Sequence, residues 1–229
     1  PRSTLFPYTT LFRSNAFLNT YQDYDKPKFL LPHGISSEEF TVNPTEANKI
    51  KIDFANYGLY TGVIDNRIDF ELLEKALIKF EEVPFLFIGP LNLPNDEVAH
   101  RIFIDKKYSN LIALGTVHFK KLKVYISQAK FCISFMDTKI EGNMIAHHKS
   151  LHYLSHGKPV FGAAFSEYKN LHEIFYMSNS HDELLNMLSE FIANGEQNEL
   201  VGKRITYARE FTFENLLSQA NKHIKTISD

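Results

Sequence analysis

Short, wholly apolar runs recur along this chain with helix-like segments between them, and that alternation limits the fold more than any other feature. "ANYGLYTGVI" precedes "DFELLEKALIKF", and "PFLFIGPL", "NLIALGTV", "KFCISFM" and "KPVFGAAF" follow in order. A strand with one wet face alternates apolar and polar residues, whereas a strand covered on both faces does not. These runs are of the second kind. Separated by helices, they imply an α/β fold: a Rossmann-like parallel sheet with helices on both faces. That unit is expected from about Ile52 to the C-terminus.

The intervening segments carry helical spacing. Phe70, Leu73, Leu77 and Phe80 recur three and four apart, and Asp69 is placed to cap them. "FKKLKVYISQA" puts Leu122, Tyr125 and Ile126 on one side. "HHKSLHYLSHG" reads as a helix closed by Gly157, and "ELLNMLSEFI" and "VGKRITYAREFTFENLLSQANKHI" are helical. Upstream, "KFLLPHGI" (residues 28–35) reads as a strand stopped by Pro32 and Gly34, and Ser36 opens the short turn "SSEEF". The polar residues 41–51, with Pro44, read as a linker.

The 229 residues suffice for one large domain, or one domain and a piece of another. A net charge of −2 argues against a sequence-wide field for nucleic acid. No apolar run approaches the ~18 residues of a membrane span. The single cysteine, Cys132, excludes an internal disulfide, and its place in "KFCISF" marks it as a buried core residue.

In an open parallel sheet, ligands bind beyond the carboxyl ends of the strands. The candidates are therefore Gly62 to Arg67, Gly89 and Pro90, Gly115 to His118, Met136 to Asn143, and the start of the 148–156 helix. "TGVIDNR" has one glycine and no dinucleotide fingerprint. Gly62 is either a tight turn or a point of close approach to a phosphate. Arg67 is either a fork of phosphate donors or a solvated surface arginine. His148, Lys149 and Ser150 fall at a helix N-terminus, where free N–H groups favour an anion. His148 and His152 share a helical face, but no third metal ligand accompanies them, and the plainer alternative is polar surface residues. The carboxylates of "SEEF" and "DFELLEK" read as solvated, without a catalytic role.

At this segment the chain resembles the C-terminal, donor-binding half of GT-B fold glycosyltransferases, family-4-like (group 1). "HHKSLHYLSHGKPVFG" is similar to the family's "HKxLEYLxxGKPV" pattern. "YTGVIDNRIDFELLEKAL" resembles its first strand, turn and helix, and "FLFIGP" its second strand. "LIALGTVHFKKLKVYISQAKFCISF" resembles "LGxVxxxxLPxYLxxxDVxLxPF", "PHGIS" the strand closing the N-terminal domain, and "FTFENLLSQANKHI" the final crossover helix. The likeness covers nearly all of the chain after its opening stretch.

The resemblance implies a hexosyltransferase-type enzyme with a nucleotide-sugar donor and no separate cofactor or metal. Gly62, Arg67, His148, Lys149 and Ser150 would face the donor diphosphate. Gly89, Val117 and His152 would meet the nucleoside, and Asn143 and Met144 would lie beside the sugar. The family has acidic residues at the places of His152 and Met144. A neutral imidazole accepts one hydrogen bond where a carboxylate accepts two. The acceptor would be a cell-surface saccharide or lipid-linked species, with no nucleic acid. The setting would be the cytoplasm, at most at the inner membrane face through an N-terminal domain. A fragment of this kind is expected to be inactive alone. The alternatives are a non-catalytic scaffold with a degenerate donor site, and a sugar-nucleotide epimerase of the same fold.

The opening "PRSTLFPYTTLFRS" fits neither helical spacing nor strict alternation for long. Back-translated, it resembles the adapter ligated to short-read sequencing libraries over all fourteen residues. The expected organisation is an adapter-derived segment 1–14 that packs poorly and a remnant of the N-terminal domain at 15–40. The linker 41–51, the donor-binding domain 52–210 and a crossover helix 211–229 follow.

Overall fold

The computed structural model describes residues 10–12, 18–19, 23, 28–47, 50, 52, 55–140, 148–165, 168 and 170–228. The apolar runs form six parallel strands: β3 (Gly58–Thr61), β4 (Phe85–Ile88), β5 (Leu111–Gly115), β6 (Phe131–Ser134), β7 (Val160–Gly162) and β8 (Phe175–Met177). Their order is β5-β4-β3-β6-β7-β8. β3, β4, β6 and β7 are buried along their whole length, which is why their sequences carry no alternation.

Successive residues of each strand feed opposite cores. Tyr60, Phe85, Phe87, Phe131 and Ile133 pack under α2 (Phe70–Lys79), α3 (Glu97–Phe103) and α6 (His181–Asn194). Leu59, Leu86 and Cys132 pack under α4 (Phe119–Gln128), α5 (His148–Ser155) and α7 (Asn198–Glu210). Phe131 meets Phe85, Phe161 and Phe191 edge-on at 5.7–6.0 Å between ring centroids, the geometry aromatic quadrupoles favour. Cys132 is fully buried, as its context predicts, and burial pushes its thiol up.

The helix caps follow the sequence. Asp69 accepts from Leu72 N–H and opens α2, Asp96 does the same for α3 through Ala99, and Ser180 opens α6. Within the main sheet and its covering helices, α3 and β8 have no counterpart in the sequence reading. α3 is seven residues in a polar stretch, and β8 is three residues long, both too short for a periodic signal. The expected linker holds a short helix, α1 (Pro44–Ala47).

The helical run from Val201 onward is broken. α7 ends at Glu210, and α8 (Phe213–Ser228) starts after Phe211 and Thr212. The break has a cause in the tertiary structure. Ile35 N–H donates to Phe211 O at 2.9 Å and Ile35 O accepts from Phe213 N–H at 3.0 Å, forming a bridge with Thr212.

Thr10–Phe12 forms a strand, β1, parallel to β2 (Lys28–Leu30). Backbone pairing needs no particular side chain, so even a sequence without strand periodicity is able to form it. Residues 1–9, 13 and 14 lie outside the described residues.

Candidate functional site

The strand order places a topological switch between β3 and β6. The chain leaves β3 through α2 towards β4 and leaves β6 towards β7 on the other side, opening a crevice at the carboxyl ends of both strands. A cavity of ≈ 170 Å³ lies there, lined by Tyr60, Thr61, Gly62, Val63, Arg67, Met136, His148 and Lys149. Two larger grooves, ≈ 500 and ≈ 490 Å³, run along α7 and between α2 and α6, away from the strand ends.

Each wall has a structural cause. Tyr153 of α5 is fully buried, and its hydroxyl accepts Thr61 N–H at 2.8 Å and lies 3.0 Å from Thr61 Oγ1. This contact fixes α5 against the end of β3. Gly62 has φ +133° and Gly89 φ +151°. A Cβ on Gly89 would sit 1.9 Å from Gly62 O, so Gly89 lets the β3 turn lie flat on the end of β4.

Lys149 is the central cation. Its Nζ lies 4.1 Å from the centroid of the Tyr60 ring and 3.6 Å from Met136 Sδ. Both partners are soft and neither neutralises it. Among the described residues it makes no ion pair with a carboxylate. Burial, and then the nearby Arg67 charge, push its ammonium down to about 7.

Arg67 lines the same cavity but is engaged. Its Nε and Nη2 each lie 2.9 Å from the Asp65 carboxylate, and Asp65 Oδ1 also accepts the Arg67 N–H at 3.1 Å.

His148 is part of the wall but not a second cation. Its Nε2 lies 2.8 Å from Gly34 O, which can only accept, so Nε2 carries the proton. Burial then holds its pKa below the usual imidazole range. Its ring packs against His33 at 5.4 Å and His152 at 4.7 Å.

The structure gathers four of the five expected diphosphate residues, Gly62, Arg67, His148 and Lys149, around one cavity. Ser150 is next to it in the first turn of α5 but fully buried. Its Oγ lacks a hydrogen-bond partner among the described residues and does not line the cavity. Gly89 packs against the Gly62 carbonyl and does not itself line the cavity. Val117, in the β5–α4 loop, packs half-buried against the core under α4 and α5. His152, one turn along α5, has its Nδ1 3.3 Å from Glu39 Oε2. An ionised carboxylate only accepts, so Nδ1 donates and a neutral ring keeps Nε2 as an acceptor. Asn143 and Met144 lie outside the described residues.

Two carboxylates read as solvated are not. Glu39 is partly buried against His152, and that hydrogen bond holds its pKa below the usual range. Glu74 accepts Arg101 Nε at 2.7 Å and the Tyr108 hydroxyl at 2.5 Å, which holds it down to about 2 and ties α2 to α3. Sequence reasoning passed over Tyr60, and it placed Met136 and Asp65 in candidate segments without giving either a role. Tyr60 and Met136 belong to apolar runs. Asp65 left a local signal, an Asp-Asn turn two residues before Arg67.

Among the described residues no group of three or more His, Cys, Asp or Glu side chains is arranged to hold a metal, and no helix is long and apolar enough to cross a membrane.

No family model matches the sequence, and no curated protein does. Solved structures do match. Sucrose-phosphate synthase from Thermosynechococcus elongatus superposes with a TM-score of 0.72 at 18% identity over 96% of this chain and 58% of its own. Anabaena HepE, solved with UDP-glucose, gives 0.73 at 12% identity over 94% of this chain and 63% of its own. The pneumococcal O-GlcNAc transferase GtfA, solved with UDP and GlcNAc, gives 0.64 at 14% identity over 96% of this chain and 45% of its own. The chain thus spans about half to three-fifths of these structures' lengths. Strand order, switch-point crevice and these superpositions together assign it the Rossmann-like part of the GT-B glycosyltransferase fold.

Proposed function

We propose that this chain binds the donor of a nucleotide-sugar glycosyltransferase, with the diphosphate in the Gly62–Lys149 cavity. The observation that carries the reading is Lys149. Its ammonium rests on an aromatic face and a thioether at a switch point, and among the described residues it lacks the counter-charge a purely structural lysine would have. The first turn of α5 adds backbone donors and the positive end of its dipole. As the leaving diphosphate gains charge, Lys149 and these donors stabilise it without reorganising.

Gly62, Arg67 and His148 complete the diphosphate contacts, with Ser150 beneath them. His152 Nε2 is the acceptor for a ribose hydroxyl, Gly89 and Val117 border the nucleoside, and Asn143 and Met144 adjoin the sugar. HepE with UDP-glucose and GtfA with UDP and GlcNAc support a uridine nucleotide as the first donor to test. The acceptor is a cell-surface or exopolysaccharide species, bound by a second domain at the cytoplasmic membrane face. No cofactor beyond the donor is invoked.

The test is calorimetric titration of the chain with UDP, GDP and ADP. Binding of one nucleotide is expected, and Lys149→Ala should weaken the diphosphate at least about tenfold while leaving the nucleoside nearly unchanged. No heat from any of them at millimolar concentration overturns the reading, and equal loss for diphosphate and nucleoside removes Lys149's role.

One observation favours a second reading, a scaffold with a decayed donor site. His152, standing at the family's acidic position, is already engaged by Glu39. His152→Glu separates the two. A large gain in nucleotide affinity marks a decayed site, and a loss marks a specialised one.

A further inference from the structure

We infer that the Asp65 carboxylate is a built-in competitor for the Arg67 guanidinium, so that a diphosphate entering the Gly62–Lys149 cavity has to displace Asp65 to engage both cations. The inference rests on the diphosphate reading of that cavity.

The contact is a fork on a fork. Arg67 Nε lies 2.9 Å from Asp65 Oδ1 and 3.1 Å from Oδ2, and Nη2 lies 2.9 Å from Oδ2. A phosphate would use the same two parallel donors. The loop presets the competitor. Asp65 Oδ1 accepts Arg67 N–H at 3.1 Å, and Asp65 O accepts Ile68 N–H at 3.1 Å, so the turn itself aims the carboxylate at its own arginine.

Yet the pair is open to exchange. The Arg67 side chain is 45% exposed, and exposed ion pairs are weak. Arg67 faces the cavity that Lys149 also lines, and Asp65 lies close enough to hold charge on Lys149. With His148 neutral, the charged groups among the described residues here are two cations, Arg67 and Lys149, and one carboxylate, Asp65, a net charge of +1 against a diphosphate of −2 or more. Only a ligand that offers a bidentate, multiply charged phosphate compensates for releasing Asp65. A singly charged anion does not. Asp65 thereby sets a charge threshold for entry.

Asp65→Asn separates the two roles of the residue, because Asn Oδ1 still accepts the Arg67 N–H while the charge is gone. The full chain, its Asp65→Asn, Arg67→Ala and doubly substituted forms are titrated with UDP and inorganic pyrophosphate at pH 6.5, with thermal midpoints as the folding check. Asp65→Ser, which keeps a hydroxyl acceptor, replaces Asp65→Asn if that variant does not fold. The expected result is about fivefold tighter binding on Asp65→Asn, with the gain abolished when Arg67 is already alanine. Unchanged or weaker binding by folded Asp65→Asn overturns the inference and leaves the diphosphate reading intact. A gain that persists without Arg67 also overturns it, since Asp65 would then act by simple repulsion. No binding by the wild-type chain or any variant overturns the diphosphate reading and this inference with it.

Discussion

Arg204 and Lys149 are both cations withdrawn from bulk water, and the fold treats them in opposite ways. Arg204 is fully buried in α7 and fully matched. Its Nε donates to Ile174 O at 2.9 Å, its Nη1 to Gly157 O at 3.2 Å, and its two terminal nitrogens meet Glu196 at 2.5 and 2.6 Å. The Tyr176 hydroxyl donates to the same carboxylate at 3.1 Å. This closed network ties α7 to the end of α5, to β8 and to the loop after α6. Lys149 has a ring face and a thioether instead. A buried charge with all its bonds made is architecture, whereas one left with soft neighbours at the mouth of a parallel sheet is a binding element.

The comparison breaks first on stability. Arg204→Ala leaves Glu196 and two carbonyls buried without their donor, so a loss of about 3–5 kcal/mol is expected. For a chain of this size that is on the order of 10 °C in the thermal midpoint. A midpoint within 2 °C of wild type, measured by calorimetry, would erase the distinction drawn here.

The next effect is on binding. Lys149 has to be protonated to hold a phosphate, and its ammonium is pushed down to about 7. Diphosphate affinity should therefore fall by up to about tenfold per pH unit above 7, with proton uptake on binding. Titrations at pH 6.5, 7.5 and 8.5, in two buffers of different ionisation heat, read both quantities. A flat profile would mean that Lys149 is not the anion contact.

The smallest effect concerns stability again. Because the folded-state value of Lys149 lies below its unfolded one, the unfolded chain binds more protons between about pH 7 and 10. Lys149 therefore costs stability below that window, and its penalty fades as pH rises through it. Lys149→Met should leave the thermal midpoint at pH 6 unchanged or raise it by a degree or two. A large drop would place Lys149 with Arg204, as a structural residue.

Much of the scaffold was legible locally. The buried strands β3, β4, β6 and β7 announced themselves as apolar runs, and Asp69 as the cap of α2. The site was legible to the level of position: Gly62, Arg67, His148 and Lys149 come from segments just beyond strand ends or at a helix start. Partnership was not legible. Glu39 and His152 are 113 residues apart, and nothing local marks either as the other's neighbour. Nothing local sets Arg204 apart from the other charges of its helical run, yet it sits at 0% exposure because Glu196, Ile174 and Gly157 converge on it.

The sequence by itself determined the long helices, the buried strands and the fold class, because backbone geometry and solvent exposure impose periods that neighbouring residues must obey. The tertiary structure alone decided which charges are satisfied. Strand order brings the first turn of α5 to the end of β3, and only there does Lys149 acquire Tyr60 and Met136 as its neighbours. That outcome depends on distances between residues far apart in the chain, and no local pattern records them.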